Sequence, residues 1–276
     1  MVFERKPGNV NCIALRLCLL RDFCYGGDLM GTSNAMQIVL EAVEAAGGLD
    51  YWNSIEKLEV ELSASGFLFT AKRRPVLHHV RVRANTRDPR FIFVDFPTLG
   101  QTGELIGNEL VRILDSAGHT VAQRENPRAA FHGIRRQFAW DDLDFIYFGG
   151  YATWNYLTTP FLLLRKGFLV EVLEPMKGPL GKFVRLQVTF PADVPTHSRR
   201  QIYCFDDQRL LRRLDYTAEV VGGWAHAAHL CEEYRTFDRL TVPTRRRVLP
   251  LPFGSRPLPG PTLVELEVHH VRAVPR

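Results

Sequence analysis

The chain lacks an unbroken apolar run of membrane-spanning length. Its N-terminal apolar stretch, residues 12–20 (CIALRLCLL), is interrupted by Arg16 and falls well short of the roughly 20 residues a spanning helix needs. No small-residue cleavage site follows it, and LRDFC places Phe23 where a lipoprotein signal would have a small residue before Cys24. Residues 1–32 are therefore expected to be a disordered or misassigned leader, with Met30 or Met36 as natural starts. The cytoplasm is the expected location; export is the alternative if residues 1–24 act as an atypical signal.

Cysteine pairs at metal-binding spacing are also missing. Of five cysteines, Cys12, Cys18 and Cys24 are separated by five residues each, while Cys204 and Cys231 sit singly in strand-like runs. No disulfide framework and no zinc site is indicated, which suits a reducing compartment. There is no Gly-rich phosphate loop, no GxSxG elbow and no internal repeat, so no cofactor is expected. Positive charge is present but unfocused: the net charge is +5 and the longest basic run is Arg245–Arg247. No basic stripe interleaves with aromatics, which excludes a nucleic-acid partner.

What is there is aromatic. Residues 138–161 (FAWDDLDFIYFGGYATWNYLTTPF) hold nine aromatic side chains in 24 residues, together with Asp141, Asp142 and Asp144. Such a segment either fills a core or lines a pocket for a bulky apolar ligand, since Tyr and Trp add a polar tip to a large apolar body. Around it lie strands. Leu58, Val60, Leu62 and Ala64 alternate with polar residues, as do Val76–Ala84, Phe91–Phe96, Val184–Phe190, the Gln201–Ala218 hairpin, Trp224–Phe237, Thr241–Leu249 and Leu263–Val271. A helix capped by Ser33 precedes them, with Met36, Val39, Leu40, Val43 and Ala46 on one face and Gly47-Gly48 as its stop. Around Gly100–Ala122 the pattern blurs into short strand-like pieces such as Glu109–Leu114, and residues 126–165 read as helical, interrupted at Gly149-Gly150 and ending near Pro160.

Strands that follow one another without βαβ crossovers imply an antiparallel sheet. The expected fold is thus α+β: residues 33–276 form one large curved antiparallel sheet of about nine or ten strands, a half-barrel with an N-terminal helix and an aromatic lid at about 126–165. A sheet of that size curls, and the lid is the segment apolar enough to fill its concave side. At 276 residues the chain can bury such a core without covalent staples.

This order of elements resembles the LolA/LppX-like lipoprotein-carrier superfamily. The echoes are AVEAAGGLDYWNSIEKLEVELSASG, YCFDDQRLLRRLDYTAEVVGG and CEEYRTFDRLTVPTRRRV, and the resemblance extends over most of residues 36–273. It implies an unclosed barrel over a hydrophobic cavity. The stretch YFGGYATWNYLTTPF further resembles an uncharacterised subgroup of bacterial proteins.

Three readings follow. The first is binding of a bulky hydrophobic small molecule (lipid, polyketide or terpenoid), with Trp140, Tyr147, Tyr151, Trp154, Tyr156 and Phe161 lining its cavity. The second is a cofactor-independent enzyme of cyclase, isomerase or lyase type, in which Asp144, His197, Tyr216 and His229 are the acid/base candidates. In that case desolvation would raise the Asp144 carboxyl, and His197 would cap the cavity mouth. The third is a dry, fully packed interaction module. Metal binding is not expected: His226 and His229, three apart on a strand, point to opposite faces, and the pairs His78-His79 and His269-His270 fail on the same geometry.

Overall fold

Among the described residues, thirteen strands hydrogen-bond into one sheet, every neighbouring pair antiparallel. The computed structural model describes residues 29–178, 181–252 and 256–276. In chain order the elements are α1 (Leu29–Ala45), α2 (Leu49–Ser54), β1 (Ile55–Ser65), α3 (Phe67–Ala71), β2 (Leu77–Asn85), β3 (Arg90–Val94), β4 (Thr102–Ile106), β5 (Leu110–Leu114) and β6 (Thr120–Glu125). A 3-10 turn (Pro127–His132), α4 (Arg135–Phe138) and α5 (Asp142–Thr158) follow. After a second 3-10 turn (Phe161–Leu164) come β7 (Leu169–Gly178), β8 (Gly181–Thr189), β9 (Arg200–Phe205), β10 (Leu211–Thr217), β11 (His226–Phe237), β12 (Leu240–Pro250) and β13 (Val264–Pro275).

The strand order is β6-β5-β4-β3-β2-β1-β13-β12-β11-β10-β9-β8-β7. Two meanders are therefore zipped together where β1 pairs with β13, and the consecutive strands β6 and β7 end up at opposite edges. The chain between them has to cross the whole sheet. Laid flat, twelve spacings would separate the edges by roughly 57 Å, whereas the 17 residues of α5 span only about 26 Å. Curling resolves the mismatch, and α5 lies inside the curl. The two halves meet at one end, where Asn108 in the β4–β5 turn donates to the Ala192 carbonyl in the β8–β9 loop at 3.0 Å.

Several local expectations are corrected. The strands number thirteen rather than nine or ten; β4, β6 and β7 are the additions. Helix α1 runs through Ser33 instead of starting at it. Trp224 lies in the β10–β11 turn, mostly exposed, and β11 begins at His226. The lid is continuous through Gly149-Gly150 and breaks earlier, between α4 and α5. Packing overrides the poor helix propensity of glycine: a Cβ at Gly149 would lie 3.2 Å from Phe93, and one at Gly150 3.2 Å from Leu105. Cys12, Cys18, Cys24 and nearly all of the leader lie outside the described residues. No helix among the described residues is long and apolar enough to cross a membrane.

Candidate functional site

Helix α5 is apolar all round, as a helix surrounded by protein should be. One of its stripes is left partly uncovered. Phe145, Phe148, Gly149, Ala152, Thr153 and Tyr156 recur at i, i+3, i+4, i+7, i+8 and i+11, and they form one wall of a slot of about 60 Å³. The opposite wall is the middle of the sheet, with Leu62 and Ala64 from β1, Leu77 from β2, Phe93 from β3, Val248 from β12 and Leu266 from β13. From Phe145 to Tyr156 the helix rises about 16 Å, so the slot is long and narrow. Apart from Thr153, its polar groups stand at the two ends: Lys72 and Arg74 beside the start of α5, Tyr156 and Tyr216 near its finish.

The Tyr156 end opens onto a buried hydrogen-bonded cluster. The Tyr156 hydroxyl lies 2.7 Å from His197 Nε2 and 3.3 Å from the Tyr216 hydroxyl, while the Tyr151 hydroxyl lies 3.2 Å from His197 Nδ1. The His197 ring stacks on Tyr216 at 4.0 Å. Burial, reinforced by the positive charge of Arg128, holds His197 down to about 3. The imidazole is thus neutral, a donor at one nitrogen and an acceptor at the other, so one tyrosine donates to it and the other accepts from it. Desolvation pushes the Tyr151, Tyr156 and Tyr216 phenols above their ordinary range. Behind Tyr156, Arg246 donates to the Tyr156 carbonyl at 3.0 Å and to Cys231 Sγ at 3.3 Å. That carbonyl is in the last turn of α5, where a cation is favoured by the helix dipole. His229, fully buried, is held well below its ordinary value by desolvation first and then by the positive charge of Arg246.

Two buried neutral histidines make stability pH-dependent. Between pH 6.5 and the depressed folded value, the unfolded chain takes up a proton that the folded chain refuses, so stability falls as pH drops through that window. The expected loss between pH 6.5 and pH 5 is about 1–2 kcal/mol for each histidine. Urea unfolding at pH 7, 6 and 5 measures it, and His197→Gln should flatten the slope. A wild-type stability that is level over this range would contradict the neutral, buried assignment.

The other end of α5 is a charge network. Asp141 is the N-cap: its side chain accepts from the Asp144 backbone N–H at 2.9 Å, and Asp144 Oδ2 accepts from the Asp141 N–H at 3.0 Å, a reciprocal capping box. Arg124 reaches Asp144 at 2.7 Å and Asp141 at 2.7 Å, and Arg136 reaches them at 2.6 and 3.1 Å. Burial opposes ionisation of Asp141, but the bonds from Arg124 and the Asp144 amide, with the charges of both arginines, hold it down to about 2. Burial raises Asp144, as does the adjacent charge of Asp141, against the pull of the two guanidinium groups.

The sequence candidates therefore scatter. Of the six expected lining residues, Trp140 and Tyr156 face the slot. Tyr147 points to Asn108, Tyr151 to His197, and Trp154 donates to the Asn85 carbonyl at 2.8 Å. Phe161 stacks face to face on Trp52 at 4.1 Å. Of the acid/base candidates, Tyr216 touches the slot, while His197 and His229 sit behind its tyrosine wall. His197 is buried rather than at a mouth, because the loop carrying it is pinned by Arg128, which donates to the Thr196 and His197 carbonyls and pairs with Glu219. Asp144 is placed in the capping box, away from the slot. The structure adds Phe145, Phe148, Lys72 and Arg74. On the convex side His79 of β2 and His269 of β13 stack at 4.2 Å across β1, a contact between strands on which the alternation within each His-His pair does not bear. The register of β1 against both β13 and β2 shifts beside Ser63, and these irregularities bring the two rings together.

No protein-family profile matches the chain, and no curated protein matches it in sequence. Solved structures do match in fold. A domain described as an outer membrane lipoprotein-sorting protein from Vibrio parahaemolyticus superposes with a TM-score of 0.51 at 9% identity, covering 88% of this chain and 93% of that one. A LolA superfamily protein from Nitrosomonas europaea superposes with a TM-score of 0.50 at 11% identity, covering 87% and 94%. The likeness is one of architecture, and the fold of this chain is LolA-like: an open antiparallel sheet wrapped around a helix.

Proposed function

We propose that this protein binds a hydrophobic small molecule in the slot between α5 and the sheet. The observation that carries the reading is the slot itself, apolar along the stretch of α5 from Phe145 to Tyr156 with its polar groups, Thr153 apart, at the two ends, the usual composition of a ligand site. Its volume of about 60 Å³ is room for only a handful of waters. A slender alkyl chain needs the least widening of such a slot, which favours a lipid, with α5 lifting to admit it; the ring systems of polyketides and terpenoids would require α5 to lift further. The LolA-like fold supports a carrier role.

A second reading has one observation in its favour, the phenols of Tyr156 and Tyr216 exposed to the slot beside His197. Acid/base catalysis works best when the group titrates near the working pH. His197, held down to about 3, is a weak base, and the raised phenols are reluctant to ionise. That balance favours a cluster that orients a ligand over one that moves its protons.

The test is to block the channel. Ala152 faces it from α5, and Ala152→Phe is expected to lower the affinity for a fluorescent alkyl probe at least tenfold while leaving the far-UV spectrum close to wild type and lowering Tm by only a few degrees. Native mass spectrometry of the purified chain should show an apolar molecule bound to wild type and absent from the variant. Equal probe binding by both proteins would overturn the reading.

A further inference from the structure

We infer that the ligand is a slim linear amphiphile with a single carboxylate head, held by Lys72 and Arg74 with its chain running along α5 toward Tyr156. The inference rests on the slot being a binding site and names what it takes.

The warrant lies in the end beside the start of α5. Lys72 is only 4% exposed although charged, and burying a charge is costly unless it is paired. Its ammonium donates to the Arg136 and Gln137 carbonyls at 3.1 and 2.7 Å. An ammonium has three donors, and no acidic side chain among the described residues takes the third. Trp140, whose ring centre is 5.4 Å from Nζ, forms the adjoining wall. Arg74 stands on the same stretch of slot wall. Its terminal nitrogens are used, one on the Trp140 carbonyl and one on Asp142, yet its Nε is buried and donates to no protein acceptor. Two donors without acceptors thus border one apolar channel, and one of them belongs to a cation that lacks a counter-ion.

Charge selects the head. Asp142 already balances Arg74, which leaves the single positive charge of Lys72. A carboxylate matches it; a phosphomonoester carries close to two negative charges and exceeds it. A carboxylate also has two oxygens, enough to accept from Lys72 Nζ and Arg74 Nε together. The local fold brings the pair into place. Arg73, in the left-handed region at φ 55°, ends α3 in the manner of a left-handed cap. The following residues then enter β2 with Lys72 and Arg74 both against the slot.

The experiment compares three probes of equal chain length on the full chain by titration calorimetry: dodecanoate, dodecanol and dodecyltrimethylammonium. Wild type should bind dodecanoate at least tenfold tighter than dodecanol, and the cation most weakly, a difference typical of one charge-assisted hydrogen bond. Lys72→Met should erase that preference by weakening dodecanoate alone. If Lys72→Met fails to fold, the probe series on wild type still decides. Equal affinity for all three probes would overturn head-group recognition and leave the apolar slot intact as a site. Binding of none of them would overturn the slot as a ligand site, and this inference with it.

Discussion

Replacing Trp154 with alanine is expected to cost about 3–5 kcal/mol of folding stability, the range for deleting a buried indole. Trp154 is among the largest side chains with no solvent exposure. Its indole N–H ties α5 to the last residue of β2 through the Asn85 carbonyl at 2.8 Å, and the Arg165 guanidinium lies over the ring at 5.8 Å. The alanine variant loses the apolar contacts, the hydrogen bond and the cation–π contact, and it leaves a void between helix and sheet. Against a total stability of about 5–15 kcal/mol that is a large fraction, and a fall in Tm on the order of 10 °C should follow. Trp154→Phe keeps most of the volume and should lose only about 1–2 kcal/mol, chiefly for the carbonyl left without its donor. Trp154 is on the side of α5 away from the slot, so Trp154→Ala that is still folded at low temperature should bind an alkyl probe as wild type does. Ala152→Phe is expected to do the reverse. Stability of Trp154→Ala within about 1 kcal/mol of wild type would mean that α5 is not anchored to the sheet as described.

That division between two faces of one helix explains what was legible in the sequence. Strands β1, β2 and β13 announced themselves because over most of their length one face is more buried than the other, which prints period two onto the residues. Strands β4, β6 and β7 did not. In β4, Gly103, Glu104 and Leu105 are all buried in succession, with Glu104 paired to Arg90 of β3 side and Arg112 of β5, so alternation is erased by an ion pair that only the folded sheet creates. Strands β6 and β7 are the sheet edges. The former buries no residue fully, and the latter carries Pro175 next to a register shift, a residue that edge strands tolerate.

The site was half legible for a related reason. The aromatic content of 138–161 drew attention to the helix that borders the slot, and its apolar character placed that segment against the concave side of the sheet. Which side of the helix lines the slot was not readable. When every face of a helix is apolar, periodicity cannot choose among them, and the larger side chains Tyr147, Tyr151 and Trp154 went to the packed side, leaving Gly149 and Ala152 where space remains. Lys72 and Arg74 lie inside the charged run AKRRP and were not among the expected site residues. Nothing in the sequence marks Lys72 as buried, because its partners are the backbone carbonyls of α4, some 64 residues further along.

Asp144→Asn separates a structural carboxylate from a catalytic one, and the expected result is a loss of roughly 3 kcal/mol of stability with ligand binding retained. Arg124, Arg136, Asp141 and Asp144 together balance two positive charges with two negative ones at the start of α5. Asparagine keeps the shape and can still accept from the Asp141 amide, but it removes one negative charge from the network and leaves a positive surplus among partly buried groups. Breaking a buried pair by deleting one partner typically costs about 3–5 kcal/mol; Asp141 still reaches both guanidiniums, which puts the expectation at the lower end. Asp142→Asn is the matched control, since its carboxylate is 42% exposed, and such partly solvated pairs contribute about 0–1 kcal/mol. Urea unfolding at pH 7 measures both variants, and titration with an alkyl probe at a temperature where both are folded measures the site. If Asp144 instead served the slot as an acid or base, Asp144→Asn would unfold near wild type and its effect would surface in ligand turnover. The ion pairs that bury Asp144 in the helix cap predict the opposite pattern, stability lost and affinity kept.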